Sequence, residues 1–78
     1  MGIKYKVDII RLKKILVEKG LDKNTDLAVA TGIDRNRVGA LLSGKINPST
    51  DMMYKVASAL NLSSEVAGSI FFASNLTQ

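Results

Sequence analysis

The segment Gly39–Lys45 reads GALLSGK and matches the pattern G-x-x-x-x-G-K. In nucleotide-binding proteins, backbone N–H groups of such a loop cradle phosphate, and a hydroxyl residue after the lysine binds Mg²⁺. Here Ile46 stands in the hydroxyl position, and Leu41 and Leu42 in the middle of the segment favour burial. The loop also needs a preceding strand, whereas the neighbouring residues have helical spacing. The sequence therefore predicts that the match is coincidental.

Two absent residue types disfavour catalysis and metal binding. The chain contains no cysteine and no histidine. It therefore cannot form a disulfide, a thiolate nucleophile or a zinc site of the usual nitrogen and sulfur type, and it lacks the commonest general base. We expect no enzymatic activity, no catalytic residue, no metal, no cofactor and no small-molecule ligand.

Length and charge set the class of protein. The 78 residues form one expected domain, residues 1–78, and a hydrophobic fraction of 46% argues against disorder. No apolar run approaches the ~20 residues of a membrane span, and no signal-peptide core is present, so we expect a cytoplasmic protein without membrane contact. Residues 1–45 hold ten Lys/Arg against five Asp/Glu, a basic balance that fits an anionic partner such as nucleic acid.

Hydrophobic periodicity predicts five short helices and no alternating strand pattern, which indicates an all-α domain. Their predicted positions are Val7–Lys19, a short helix ending at Thr31, Arg35–Leu42, a helix from Ser49 or Thr50 to Asn61, and a helix from Ser63 or Ser64.

Capping residues refine these boundaries. Asp34 is a predicted N-cap, and Asp22, Asn24 or Thr25 could cap the second helix. Gly20, Gly32, Gly44 and Asn61 are predicted to end the first four helices.

The second and third helices contain the pattern Ala28-x3-Gly32-x5-Val38-x2-Leu41. Ala28 is small enough for two helices to cross closely, and Gly32 tolerates the positive φ of a tight turn. Val38 and Leu41 lie three residues apart, so they share one face and seal the third helix against the second.

That packing exposes the opposite face of the third helix. At 100° per residue, the outward positions carry small or polar side chains, namely Asn36, Gly39, Ala40 and Ser43. Arg35 and Arg37 flank this strip on its two edges. Such a helix can enter a DNA major groove, which is about 12 Å wide.

From about Leu12 to Leu62 the chain resembles the lambda-repressor-like (Xre/Cro) helix-turn-helix family. The resemblance is carried by the stretches LKKILVEKG, DLAVATGIDRNRVGALLSGK and PSTDMMYKVASALNLS. It implies a compact five-helix domain with its helix-turn-helix motif at about residues 24–43. Such domains bind double-stranded operator DNA, usually as a symmetric homodimer, and the recognition helix would be Arg35–Leu42.

The resemblance also implies individual DNA contacts. Base-edge contacts would come from Arg35, Asn36, Arg37 and Ala40. Phosphate contacts would come from Asn24, Ser43 and Lys45, with the backbone amides of the last two contributing. The chemistry agrees, because arginine suits guanine, asparagine suits adenine, and an alanine methyl can touch thymine.

One departure from the family pattern lies in the core. Many relatives pair a buried arginine of the first helix with a buried glutamate after the recognition helix. Leu16 and Leu42 stand at these positions here, so we expect an apolar contact in place of the ion pair.

The C-terminal helix leaves two alternatives open. Phe71 and Phe72 are adjacent and point 100° apart, so one core face cannot easily bury both. Either the helix is wrapped so that both are buried within the monomer, or one of them joins Ile70 or Leu76 in an isologous dimer contact.

Outside the motif, the basic residues near the N-terminus suggest a solvated face or weak electrostatic steering. They are Lys4, Lys6, Arg11, Lys13 and Lys14.

The predicted function is that of a sequence-specific, DNA-binding transcriptional regulator of phage or prokaryotic mobile-element type. The alternative is a protein-interaction module, such as an anti-repressor or antitoxin-like partner, that keeps the helix-turn-helix fold. Small residues at positions 39 and 40 and the apolar last helix motivate the alternative.

Overall fold

A computed structural model describes residues 5–74 of the chain. Within them lie five helices: α1 (Ile9–Glu18), α2 (Asn24–Thr31), α3 (Arg35–Leu42), α4 (Thr50–Ala59) and α5 (Ser64–Phe71). The predicted five-helix, all-α architecture is confirmed. None of the helices in this part of the chain has the length and apolar character needed to cross a membrane.

The fold adds one short element that the sequence pattern did not indicate. Strand β1 (Tyr5–Lys6) pairs in antiparallel fashion with β2 (Ala73–Ser74). The Asp8 amide extends this junction by donating to the Ile70 carbonyl at 2.7 Å. Two-residue strands are too short to produce a readable alternation, so the ladder follows from tertiary packing rather than local pattern.

Side-chain caps start four of the five helices. Asp8, Asp34, Ser49 and Ser63 each accept a hydrogen bond from an amide in the following turn. The Asp34 prediction is thereby confirmed, and Ser49 and Ser63 are the caps rather than their neighbours.

The second helix starts differently. Its N-cap is Lys23, which makes no side-chain capping bond, and Asn24 is already the first helical residue. The prediction that Asp22, Asn24 or Thr25 caps α2 was therefore wrong. Asn24 and Thr25 lie inside the helix and Asp22 lies one residue before the cap, so none occupies the position that capping requires.

Three helices end through the same pair of backbone bonds. After α3, the Gly44 amide donates to the Leu41 carbonyl at 3.1 Å and the Lys45 amide donates to the Ala40 carbonyl at 2.9 Å. This closure needs a left-handed residue, and Gly44 supplies it with φ of +79°. The equivalent bonds end α1 at Gly20 and α4 at Asn61, whose φ is +57°. The predicted terminators are confirmed.

All five helices contribute to one hydrophobic core. Its members include Leu12 and Leu16 of α1, Leu27 of α2, Met52, Val56 and Leu60 around α4, and Ile70 and Phe71 of α5. The recognition-helix candidate α3 adds Val38, Leu41 and Leu42. Leu16 and Leu42 are both buried, so the two positions where the resemblance implied an ion pair hold apolar side chains.

The turn between α2 and α3 is held by a residue that the sequence pattern did not single out. Gly32 takes the predicted left-handed conformation, with φ of +76°. Beside it the buried Thr31 hydroxyl donates to the Leu27 carbonyl at 2.7 Å and accepts from the Ile33 amide at 3.1 Å. Thr31 therefore joins the end of α2 to the chain that leads into α3.

Replacing Thr31 with valine should test this link. Thr31→Val keeps the shape but leaves the Ile33 amide without its acceptor, which costs about 1–3 kcal/mol of unfolding free energy. Thr25→Val is the matched control, because Thr25 is an exposed residue of the same helix. Urea denaturation of both variants measures the difference, and equal losses would contradict the proposed role of the hydroxyl.

Candidate functional site

The third helix presents two different faces. Val38 and Leu41 are fully buried, as their spacing predicted. Asn36 and Ser43 are exposed and Ala40 is half-buried, so the outward strip is small and polar. The core contact thereby fixes which side chains of α3 are offered to a ligand.

A shallow hollow gathers most of the predicted DNA contacts. We call it the α3 hollow, and it is lined by Asn24, Arg35, Asn36, Gly39, Ala40, Ser43 and Lys45. Six of the seven predicted contact residues therefore share one concave surface, although they come from α2, α3 and the loop after α3. Helix packing has brought together residues that are up to 21 positions apart in the sequence.

Arg37 is the one predicted contact that lies elsewhere. It occupies the opposite edge of α3, and its Nη2 donates to Met52 Sδ at 3.5 Å. Its guanidinium is therefore turned toward the first turn of α4 rather than toward the α3 hollow. The two arginines therefore have different surroundings: Arg35 lines the α3 hollow, and Arg37 contacts α4.

Gly39 of α3 lies against the Asn24 side chain at the start of α2. A Cβ atom at this position would lie 3.3 Å from Nδ2 of Asn24, closer than ordinary van der Waals contact. The glycine thus lets the Asn24 side chain lie across the middle of α3. In the sequence, Gly39 matched part of a phosphate-binding loop. In the structure, its lack of a side chain makes room for Asn24.

The loop after α3 requires a correction. The Ser43 and Lys45 amides were expected to face phosphate, but they donate to the Gly39 and Ala40 carbonyls at 3.0 and 2.9 Å. These bonds close the helix and leave the two amides unavailable, so that prediction was wrong. The side chains of both residues are exposed.

The side chains of this loop differ in their present engagement. The Ser43 hydroxyl donates to the Ala40 carbonyl at 3.2 Å, so it would have to exchange this bond in order to donate to a phosphate oxygen. The Lys45 ammonium is in no ion pair, because the one ion pair found within residues 5–74 joins Lys55 and Asp51. The positive charge of Lys45 is therefore available for interaction with an external anion.

The two adjacent phenylalanines at the end of α5 differ in burial. Phe71 is buried in the monomer core with 4% exposure, whereas Phe72 is 53% exposed. Ile70 is also fully buried. Neither Ile70 nor Phe71 can therefore offer surface to a second copy, and their assignment to a dimer contact was wrong. The expectation that both phenylalanines are buried was wrong as well, and Leu76 lies outside the described residues.

An uncharged groove lies beside Phe72, between α4 and α5. Its floor includes Ala57, Ala67 and Gly68, and Tyr54 and Phe72 stand among the larger lining side chains. None of the residues that line it is charged. Tyr54 is 74% exposed and had not been predicted as a surface feature of interest.

A double-mutant cycle should measure the interaction between positions 39 and 24. Alanine favours a helix over glycine by about 1 kcal/mol, but its methyl would press on the Asn24 amide. Gly39→Ala should therefore raise the unfolding free energy more in an Asn24→Ala background than in the wild type. Equilibrium denaturation of the four proteins gives the coupling, and identical gains in both backgrounds would show that the two residues are independent.

Comparison with known proteins supports the same interpretation of the fold. A family model described as helix-turn-helix matches residues 12–66, which is more than half of the chain. No curated protein and no solved structure matches the chain. The matched span contains most of α1, the whole of α2, α3 and α4, and the start of α5, including the turn at Gly32 and the whole α3 hollow. The chain therefore belongs to the Xre/lambda-repressor-like helix-turn-helix family of DNA-binding regulators.

Proposed function

We propose that this protein is a cytoplasmic transcriptional regulator of phage or prokaryotic mobile-element type that occupies an operator through α3. The observation that carries the proposal is the α3 hollow, where base-reading and phosphate-binding side chain types meet on one surface. In this proposal residues 1–78 act as a single DNA-binding domain.

Arg35 and Asn36 are the proposed principal base readers. Both are exposed at the start of α3 and line the α3 hollow. Arginine can donate two hydrogen bonds to guanine O6 and N7, and asparagine can pair with adenine N6 and N7. Ala40, one turn further along, offers a methyl group to thymine.

Arg37 has a different place in the proposal. Its guanidinium must exchange its bond with Met52 Sδ for a contact with DNA. A neutral thioether is a weak acceptor, so this exchange opposes binding only slightly. Arg37 therefore stays a proposed contact at the far edge of α3, secondary to Arg35 and Asn36.

Phosphate contacts are proposed for Asn24, Ser43 and Lys45. Asn24 begins α2, and no side chain caps that helix, so its first amides favour an anion in front of them. Lys45 supplies a free positive charge at the other side of the α3 hollow. Together these groups would fix the position of α3 between the two phosphate backbones that border the DNA major groove.

DNA shape is expected to add to specificity. Gly39 has no side chain and Ala40 has only a methyl group, so neither can form a side-chain hydrogen bond to a base edge. Sequence-dependent bending and groove width can then discriminate between operators at base pairs that no side chain touches.

A homodimer on DNA is proposed through the groove between α4 and α5. A two-fold axis sets the same surface patch of both copies against each other, so a patch without charges avoids like-charge repulsion. The groove fits this requirement, with Tyr54 and Phe72 as the exposed aromatic side chains. Two recognition helices would then lie about 34 Å apart, which is one turn of B-DNA.

Selection from random duplex DNA tests the whole proposal. We expect one enriched motif with two-fold symmetry and half-sites about 10 base pairs apart. A single, non-palindromic half-site would argue against the dimer alone. If no sequence is enriched and the protein instead forms a stable complex with another regulator, the protein-interaction alternative is correct.

Arg35→Ala and Asn36→Ala should each weaken binding to the selected operator by about 1–3 kcal/mol, because each removes a base contact. Binding to mixed-sequence DNA should change much less. Both side chains are exposed, so the unfolding free energy should stay at its wild-type value. Fluorescence anisotropy with both DNAs is the measurement, and unchanged operator affinity in both variants would refute the assigned recognition surface.

Lys45→Ala should weaken binding to every sequence and lower the slope of log affinity against log salt by about 1, since one phosphate contact is lost. Lys55→Ala is the matched control, because it removes the same charge from α4, where the lysine is paired with Asp51. A titration from 50 to 200 mM salt distinguishes the two. Equal slopes for both variants would place Lys45 outside the interface.

A further inference from the structure

A second hollow adjoins the α3 hollow. Both are lined by Asn24, Gly39 and Ser43, so one surface runs continuously across these residues. On the far side the second hollow is lined by Lys13 of α1 and by Asp22 of the loop before α2. We call it the α1 hollow. It places a cation and an anion beside two of the proposed phosphate contacts, although neither belongs to the helix-turn-helix motif.

The charge on Lys13 is free to meet an external anion. Lys13 is exposed, and within residues 5–74 no carboxylate lies in ion-pair distance of it. The neighbouring cations of α1 are placed differently. Arg11 donates to Ser69 Oγ at 2.7 Å and so faces α5. Lys14 and Lys13 both line an apolar depression on the outer side of α1, but Lys14 does not line the α1 hollow. Among these three residues, Lys13 alone borders the proposed interface.

Asp22 has the opposite effect on an approaching phosphate. It lies two residues before Asn24, is exposed, and lines the α1 hollow with Lys13. A carboxylate within a Debye length of a phosphate repels it, because mobile ions screen this repulsion only in part at low salt. The surface that continues from Asn24 and Ser43 thus carries one attractive and one repulsive charge.

We propose that the DNA interface extends onto α1, where Lys13 binds a backbone phosphate next to those held by Asn24 and Ser43 while Asp22 repels it. This inference rests on the proposed operator-binding function and concerns the extent of that site. The repulsion by Asp22 acts on every DNA sequence alike, so it restrains non-specific binding without altering base readout. The net effect of the pair on affinity is smaller than that of Lys13 alone.

Lys13→Gln and Lys14→Gln form a matched pair that tests the attractive charge. Each variant loses one positive charge, and the two substituted positions are adjacent and exposed on α1. Lys13→Gln should lower the salt slope by about 1, so that its affinity loss between 50 and 200 mM salt is about threefold smaller than that of the wild type. Lys14→Gln should keep the wild-type slope. Ethylation interference should show one phosphate whose ethylation weakens DNA binding by the wild type and by Lys14→Gln but not by Lys13→Gln.

Asp22→Asn and Glu18→Gln form the pair that tests the repulsive charge. Asp22→Asn should raise affinity for the operator and for mixed-sequence DNA by the same factor, about twofold at low salt. Glu18→Gln should have less effect, because Glu18 lines the depression on the outer side of α1 rather than the α1 hollow.

Arg35→Ala, measured alongside, separates the two levels of the proposal. If Arg35→Ala loses operator preference while Lys13→Gln and Lys14→Gln behave identically, the interface ends at Asn24 and the extension onto α1 is wrong. An Asp22→Asn variant no tighter than Glu18→Gln would refute the repulsive role. If the wild type enriches no DNA sequence, both the operator-binding function and this extension fail.

Discussion

The packing of α3 against α2 is the constraint on which the rest of the structure depends. Val38 and Leu41 must be buried, and this requirement sets the rotation of α3 about its axis. Every functional property of the helix follows from that rotation, because it decides which side chains face outward. Thr31 and Gly32 fix the turn that makes the packing possible, one through its hydroxyl and the other through a left-handed backbone. The core contact thereby decides which side chains α3 can offer to DNA.

Much of this arrangement was accessible from the sequence. The 3.6-residue periodicity located the five helices, and Asp34, Gly32 and Gly44 marked the ends of α2 and α3 because each has a chemical reason to lie at a helix boundary. The start of α2 was not accessible. Asp22, Asn24 and Thr25 are all good capping residues, and only the path of the backbone shows that none of them caps the helix.

Local closure and tertiary contacts account for the other differences. The predicted phosphate contact of the Lys45 amide conflicted with the predicted end of α3, because closure at a left-handed Gly44 engages the amide that follows it. Phe71 and Phe72 point in different directions, but their order gives no indication of which faces the core. Gly39 is small because Asn24 crosses it, and that contact joins two helices. The six predicted contact residues in the α3 hollow, by contrast, follow from helix geometry and the family resemblance together.

The β1–β2 ladder has a consequence for the order of folding. It joins Lys6 to Ala73, so forming it closes nearly the whole described chain into a loop. The contacts between α2 and α3 close loops many times shorter, and short loops lose less conformational entropy when they close. We expect α2, α3 and the turn between them to assemble before β1 pairs with β2. Fraying of the ladder would then leave the turn at Gly32 and the shape of the α3 hollow intact.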